Sequence, residues 1–549
     1  MHSGLEGYVH KRHPWQECPA LASRDMSFGT RRAQHRWGVH WEVKMTLPAT
    51  PSSPDIGRSG STSLLKNSIN FFHIVFMVTA TAAPLVVVST YIPISISSGA
   101  GMATPLTYAA TTVVLFVFAI GFGQMAKRIT SAGAFYTFTS QGLGKPLGLA
   151  AGFCIFAAYS MIAAAIAGGF GYFGSALLTT YFHLDVAWYV CAIVAMLIIL
   201  AISWFRITLT ARILSVLLTL EVLVVMVVCV ATIAKGGSDG QMPTALSPSE
   251  WGSAPAIGIG FFLAFWSWIG FETTAIYGEE TRDPRESVPR ATYIAVITLG
   301  VFYTFASYAA VVAYGKDSPA QAESLVGNYI FEVADTYTWH AVRVAMDFLV
   351  VSGFFACVFA WQSNASRYLY SLGRDRILPS ALGRTHPQHK SPHIAATVQA
   401  AIVILTVVIF AAGGADPLLE LGTWLAIFCT LAVIFVQLLV SLAVIGYFNR
   451  IGRQTTSDYL KTLAAPIGGA LGQVVIMVLL LDNITFIAGA DELVVKLSPL
   501  YVAIIVLIGV GYALWLRSYD PERYAAIGRV YAGADETPTG TSDSPLVDA

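Results

Sequence analysis

Long apolar runs separated by short polar stretches follow one another from residue 68 to residue 516. A bilayer core of about 30 Å takes about 20 apolar residues per helix. Runs of that grade fall near 68–96, 104–126, 146–179, 186–204, 207–234, 254–280, 288–314, 341–372, 393–412, 418–447, 464–487 and 498–516, and predict twelve transmembrane helices. Two of them are interrupted. The first, FFHIVFMVTATAAPLVVVSTYIPI, carries a Thr-Ala-Thr-Ala-Ala-Pro cluster from Thr79 to Pro84 in its middle, and proline removes an amide and clashes with the preceding turn. The sixth, AIGIGFFLAFWSWI, runs on into Gly270, Phe271 and Glu272, so a carboxylate enters before the span is complete. A second break is expected over Trp266–Glu272. Five spans separate the two, an odd number, so the broken helices run in opposite directions. The third and eighth runs, also five apart, are both unusually long. This is the pattern of inverted-repeat transporters, whose site lies near the midplane between interrupted helices. It divides the chain into a first repeat at 67–234, a second at 254–447, and two further helices at 464–517.

Composition and charge agree. Of the 549 residues 55% are hydrophobic and 12% charged, with a mean hydropathy of +0.64, where soluble domains carry about twice that charged fraction. Cytoplasmic loops retain Lys and Arg. With the amino terminus inside, all of the 32 Lys and Arg except Lys235, Lys316, Arg343 and Lys496 fall on inward segments, which predicts a multi-pass protein of the plasma (inner) membrane with both ends cytoplasmic. A net charge of zero suggests no nucleic-acid partner. The six cysteines form no CxxC pair, and five lie within the apolar runs, so neither a disulfide framework nor a metal site is suggested. Residues 1–66 read as a cytoplasmic tail without a signal-peptide core. Within it, 1–44 are read either as a disordered tail or as non-native sequence preceding a start at Met45. Residues 518–549 read as a disordered tail by composition.

The candidate chemistry sits at the breaks. A broken helix leaves backbone donors and acceptors unpaired, which lipid does not tolerate unless they line a cavity. Glu272 is therefore expected in a substrate cavity, or else as a cap on the following half-helix. The fifth run holds a second acid, Glu221, within LLTLEVLVVMVV. An ionised carboxylate at that depth costs a few kcal/mol, so it is read as a proton-responsive group or as a paired structural acid. From Glu279 onward EETRDPRESVPRA is a charged loop, in which Asp283-Pro284 ends one helix and Ser287-Val288-Pro289 starts the next. Glu279, Glu280 and Arg282 are read as an inner gate, or as a solvated loop of weak pairs. Arg343 and Asp347, one helical turn apart, are expected to pair.

The stretch GFE(x)6EExRDPRxSVPRA, together with GQMAKRITSAGAFYTFTSQGLG (Gly123–Gly144) and ASRYLYSLGRDRILPSALGRTHPQHKSP (Ala365–Pro392), resembles the amino acid, polyamine and organocation transporter superfamily over roughly residues 66–517. The resemblance implies a LeuT-type fold: an all-α integral membrane protein of 12 transmembrane helices, with a 5+5 inverted repeat and broken helices 1 and 6. Its implied cargo is a small amino acid, a polyamine or a related amine, moved by proton symport or exchange. In members handling basic amino acids or diamines, a helix-six Trp packs on the substrate and a Glu six residues later takes part in binding or proton response. Trp266 and Glu272 have that spacing, and an indole face attracts a cation by about 0.5–2 kcal/mol, so these residues favour a cationic amine. Many members hold the substrate carboxylate on a Gly-Ser-Gly turn, where this chain has Ala82-Ala83-Pro84. Some proton-coupled relatives have a lysine near the place of Glu221. The expected substrate-binding set is Thr79, Ala80, Thr81, Ala82, Ala83, Pro84, Trp266, Ser267, Ile269, Gly270, Phe271 and Glu272, with Glu221 and Glu272 in proton coupling. The Thr79 and Thr81 hydroxyls are read either as site groups or as bonded within their own helix. No cofactor is expected. The chain lacks HExxH and GxSxG motifs, so an embedded enzyme is not expected, and its polar groups do not form the repeated rings of a channel. A non-transporting sensor with the same fold is the alternative.

Overall fold

The computed structural model describes residues 64, 69–204, 207–325, 327–487 and 493–530. The expected amino-terminal tail, Leu64 apart, and the end of the expected carboxyl-terminal tail lie outside the described residues. Among those described there is no strand, and the apolar runs are helices: α1 Phe71–Ser98, α2 Gly101–Arg128, α3 Lys145–Phe182, α4 Trp188–Trp204, α5 Ile207–Ala234, α6 Ile257–Ala275, α7 Pro284–Tyr314, α8 His340–Arg374, α9 His393–Ala412, α10 Pro417–Ile451, α11 Thr456–Asp482 and α12 Ser498–Tyr519. Eleven are long and apolar enough to cross a membrane, and α4 is a shorter apolar helix.

The centre of the bundle is α1, α3, α6 and α8. There α1 meets the unwound end of α6, α3 packs along α8, and α2 packs along α7. α11 lies against α2 and α10, and α12 against α3. The outward faces of the peripheral helices stay apolar. Leu223, Val227 and Val230 on α5, Leu405 and Ile409 on α9, and Leu471 and Val475 on α11 are exposed, spaced as one face of a helix that only lipid covers favourably.

Three boundaries depart from the sequence reading for local reasons. α11 begins well before residue 464, because Thr455 and Asp458 form a reciprocal capping box that starts it at Thr456. α7 begins at Pro284 rather than Val288. Asp283 takes a left-handed conformation, φ 48°, and Pro284 is well suited to a first turn, which leaves Pro289 inside the helix. The chain beyond Tyr519, expected to be disordered, continues as a short helix, α13 Pro521–Ala526, capped by Asp520.

Candidate substrate site

Both expected breaks are present and face each other. In α1 the regular helix ends at Ala82, Ala83 turns left-handed at φ 45° and ψ 71°, and Pro84 starts the next segment. Pro84 brings no amide, and backbone bonding resumes with Val87 N on the Ala83 carbonyl at 3.1 Å. The freed carbonyls find side-chain donors: the Tyr303 hydroxyl donates to Ala82 O at 2.9 Å and the Cys357 thiol to Thr81 O at 3.4 Å. Thr79 and Thr81 donate their hydroxyls to Val75 O and Met77 O, one turn back in their own helix, so these hydroxyls satisfy the helix first.

In α6 the regular helix ends at Trp268. Gly270 sits at φ 115°, and the chain continues as tight turns through Phe271–Ala275 and Gly278–Glu280. Only glycine suits Gly270: its φ is one that side chains rarely adopt, and a Cβ there would collide with the Thr81 side chain.

Between the breaks lies a cavity of about 20 Å³, lined by Thr81, Ala82, Ala83, Val86, Val87 and Tyr91 of α1, Ile162 and Ile166 of α3, Trp266, Ser267 and Ile269 of α6, and Cys357 and Trp361 of α8. That is room for roughly one water. Trp266, edge-on to Tyr91 at 6.1 Å, also lines a second space of about 300 Å³ between the far halves of α1, α3 and α6 and the start of α10. Glu323 brings a carboxylate to the wall of this vestibule. Trp266 and Tyr91 thus line both spaces.

Of the two places expected for Glu272, its contacts fit the cap at the break and not the cavity wall. It is 1% exposed and is absent from the cavity wall. Its Oε1 accepts from the Tyr159 hydroxyl at 2.7 Å and its Oε2 from the Gly270 amide at 3.0 Å, so its carboxylate ties the unwound segment to α3. Phe271 points away from the cavity, onto Phe118 at 5.9 Å. Ala80 and Pro84 are buried without reaching the cavity wall. Ser267 bonds to Leu263 O and to Tyr108. Glu221 is fully buried; its Oε1 is 3.4 Å from the Ser352 hydroxyl of α8, and its Oε2 has no hydrogen-bond partner among the described residues.

The charged loop is not a set of weak solvated pairs. Glu279 takes both terminal nitrogens of Arg374, at 2.7 and 2.8 Å, and its Oε1 also accepts from the Ala132 amide at 2.8 Å. Glu280 accepts from Arg367 Nε at 2.8 Å with both side chains buried, and Arg367 stacks over Tyr277. Ile69, ahead of α1, pairs its backbone with the same loop: its amide donates to Glu280 O and its carbonyl accepts from Arg282 N. The Arg282 side chain is exposed. Arg343 pairs with Asp347 as expected, and also with Glu332 and Asp335.

Sequence reading missed Tyr159, Trp361, Ile162, Ile166 and Tyr91. The only local signal was Tyr159, a lone hydroxyl-bearing ring in the small, apolar middle of α3.

A bundle of apolar helices in which two are broken opposite one another across a small cavity defines a multi-pass membrane permease. The chain belongs to the amino acid permease family, whose model matches residues 69–510. It is similar to the branched-chain amino acid permease BcaP of Bacillus subtilis, 23% identical over 54% of this chain and 65% of that protein. It is also similar to the low-affinity putrescine importer PlaP of Escherichia coli, 24% identical over 67% of this chain and 78% of that protein. An uncharacterized transporter of Mycobacterium tuberculosis is 26% identical over 57% of this chain and 67% of its own length. The chain thus spans 65% of the length of the Bacillus relative.

Proposed function

We propose that the protein is a secondary active transporter that moves an amino acid across the plasma membrane by alternating access, with both termini cytoplasmic and two inverted five-helix repeats. The observation that carries this reading is the meeting of the breaks at Ala83 and Gly270 across one cavity, with a vestibule on one face and buried ion pairs closing the other. The pairing of α1 with α6, α2 with α7 and α3 with α8 supports the repeat. The amides of Leu85 and Val86 head the second half of α1, where a helix start favours an anion, and we assign them to the substrate carboxylate.

The cavity wall favours a neutral, apolar side chain over the cationic amine that the Trp266–Glu272 spacing suggested. Val87, Ile162, Ile166, Cys357 and Trp361 offer no countercharge, and Glu272 is engaged by Tyr159 and Gly270. A polyamine is the second reading, supported by Glu323 on the vestibule wall and by the likeness to PlaP. Uptake into proteoliposomes of a labelled panel of neutral amino acids, basic amino acids and putrescine, with and without an inward proton gradient, separates them. Accumulation of neutral apolar amino acids is the expected result; accumulation of putrescine alone overturns the side-chain assignment, and no uptake or exchange of any of them overturns transport itself.

Coupling is assigned to protons, with Glu221 as the responsive group, because its second oxygen is buried without a partner and such intramembrane acids mark proton paths. Glu221→Gln is expected to flatten the pH dependence of uptake, measured as initial rates across pH 5–8. An unchanged profile removes this role. Glu272 is the second proton candidate. Its bonds to Tyr159 and Gly270 let a change of protonation act on the unwound segment itself.

A further inference from the structure

The segment beyond α12 is built into the closed gate. Its short helix α13 ends at Ile527, which is 1% exposed. Gly528 follows at φ 65°, and a Cβ on it would run into the Ser140 side chain. The Gly528 amide donates to Tyr136 Oη at 2.7 Å, and that hydroxyl donates to Asp375 Oδ2 at 2.8 Å. Asp375 directly follows Arg374, the arginine that holds Glu279. On the other side of the same loop, the Arg523 guanidinium donates to Arg376 O at 2.7 Å and to Ile377 O at 3.2 Å. Arg376 itself is left-handed, φ 59°, a conformation a non-glycine residue keeps only where its surroundings hold it.

We propose that residues 520–530 are an autoinhibitory latch: by fixing the turn after α8 through Tyr136 and Arg523, they hold Arg374 in place on Glu279 and keep the basic face closed. Releasing the latch shifts the population toward a state open on that face. The latch draws on the gate described above and needs no knowledge of the substrate.

Cys357 supplies a native reporter, since it lines the central cavity and is 1% exposed. In the full chain with the other five cysteines replaced by alanine, a charged, membrane-impermeant thiol reagent offered to the basic face reaches Cys357 only when the gate opens. Tyr136→Phe and Arg523→Ala, which each remove at least two hydrogen bonds, and Gly528→Ala, which drives a Cβ into Ser140, are each expected to speed labelling by roughly fivefold or more, at least the shift that one lost hydrogen bond makes in a two-state equilibrium. Tyr136→Phe keeps the ring and removes only the bridging hydroxyl, so it stands if the glycine variant fails to fold. Glu279→Gln, which weakens the gate directly, is the reference. Unchanged labelling in the latch variants with faster labelling in Glu279→Gln overturns the latch alone. Unchanged labelling in all four overturns both the latch and the gate it holds.

Discussion

At Gly270 two demands meet on one α-carbon: a φ of 115°, and the Thr81 side chain standing where a Cβ would go. Gly270→Ala is expected to lower stability by roughly 2–4 kcal/mol, strain and overpacking together, read as a drop in the thermal unfolding midpoint of purified protein. Gly270 and Pro84 were legible in the sequence because a helix break is made by the backbone chemistry of the residues at the break itself. The partners of Glu272 were not. Tyr159 lies 113 residues away in the chain, and nothing in a local pattern encodes which buried carboxylate a distant hydroxyl will meet. Glu272 was read either for the cavity or as a cap at the break: its bond from the Gly270 amide is local and fits the cap, while only the packing of α3 reveals its second bond, from Tyr159.

Among the elements, α8 carries the most varied duties. Its middle gives Cys357 and Trp361 to the cavity, and its last turns pair Arg367 with Glu280 and Arg374 with Glu279. Spacings of three, four and seven residues place Asn364, Arg367, Ser371 and Arg374 along one side of the helix, and Asn364 in turn accepts from the Tyr277 hydroxyl. The Arg367–Glu280 pair is buried, and removing one member of such a pair leaves an uncompensated charge worth roughly 3–5 kcal/mol. Arg367→Ala and Glu280→Ala are each expected to cost about that, while the double variant costs clearly less than the sum of the two, measured by thermal unfolding. Additive losses would show that the two side chains do not act as a pair. Helix positions were readable from hydropathy alone. The start of α11 was not, since a polar capping box lies outside any hydrophobic window.

For the whole molecule, the asymmetry between faces defines the state: about 300 Å³ of open vestibule on one side, and bidentate and stacked arginines on the other. Trp266 and Tyr91 line both that vestibule and the cavity of about 20 Å³. On the proposed reading, opening the site from the vestibule requires these rings to swing aside. Trp266→Ala merges the two spaces, and the half-maximal substrate concentration for uptake is expected to rise by roughly tenfold or more, as when a central aromatic contact worth about 1.4 kcal/mol or more is lost. An unchanged value in proteoliposome kinetics would mean that the indole neither contacts nor seals the substrate.

The backbone pairing of Ile69 with Glu280 and Arg282 has a kinetic consequence. The entrance of α1 and the loop bearing Glu279 and Glu280 are stitched into one piece, and in the proposed alternating access they are expected to travel as one. On the reading of these pairs as an inner gate, Arg367 and Arg374 lose their partners in the same stroke, and opening is expected to meet a single concentrated barrier, an all-or-none ratchet step rather than a hinge that yields by degrees.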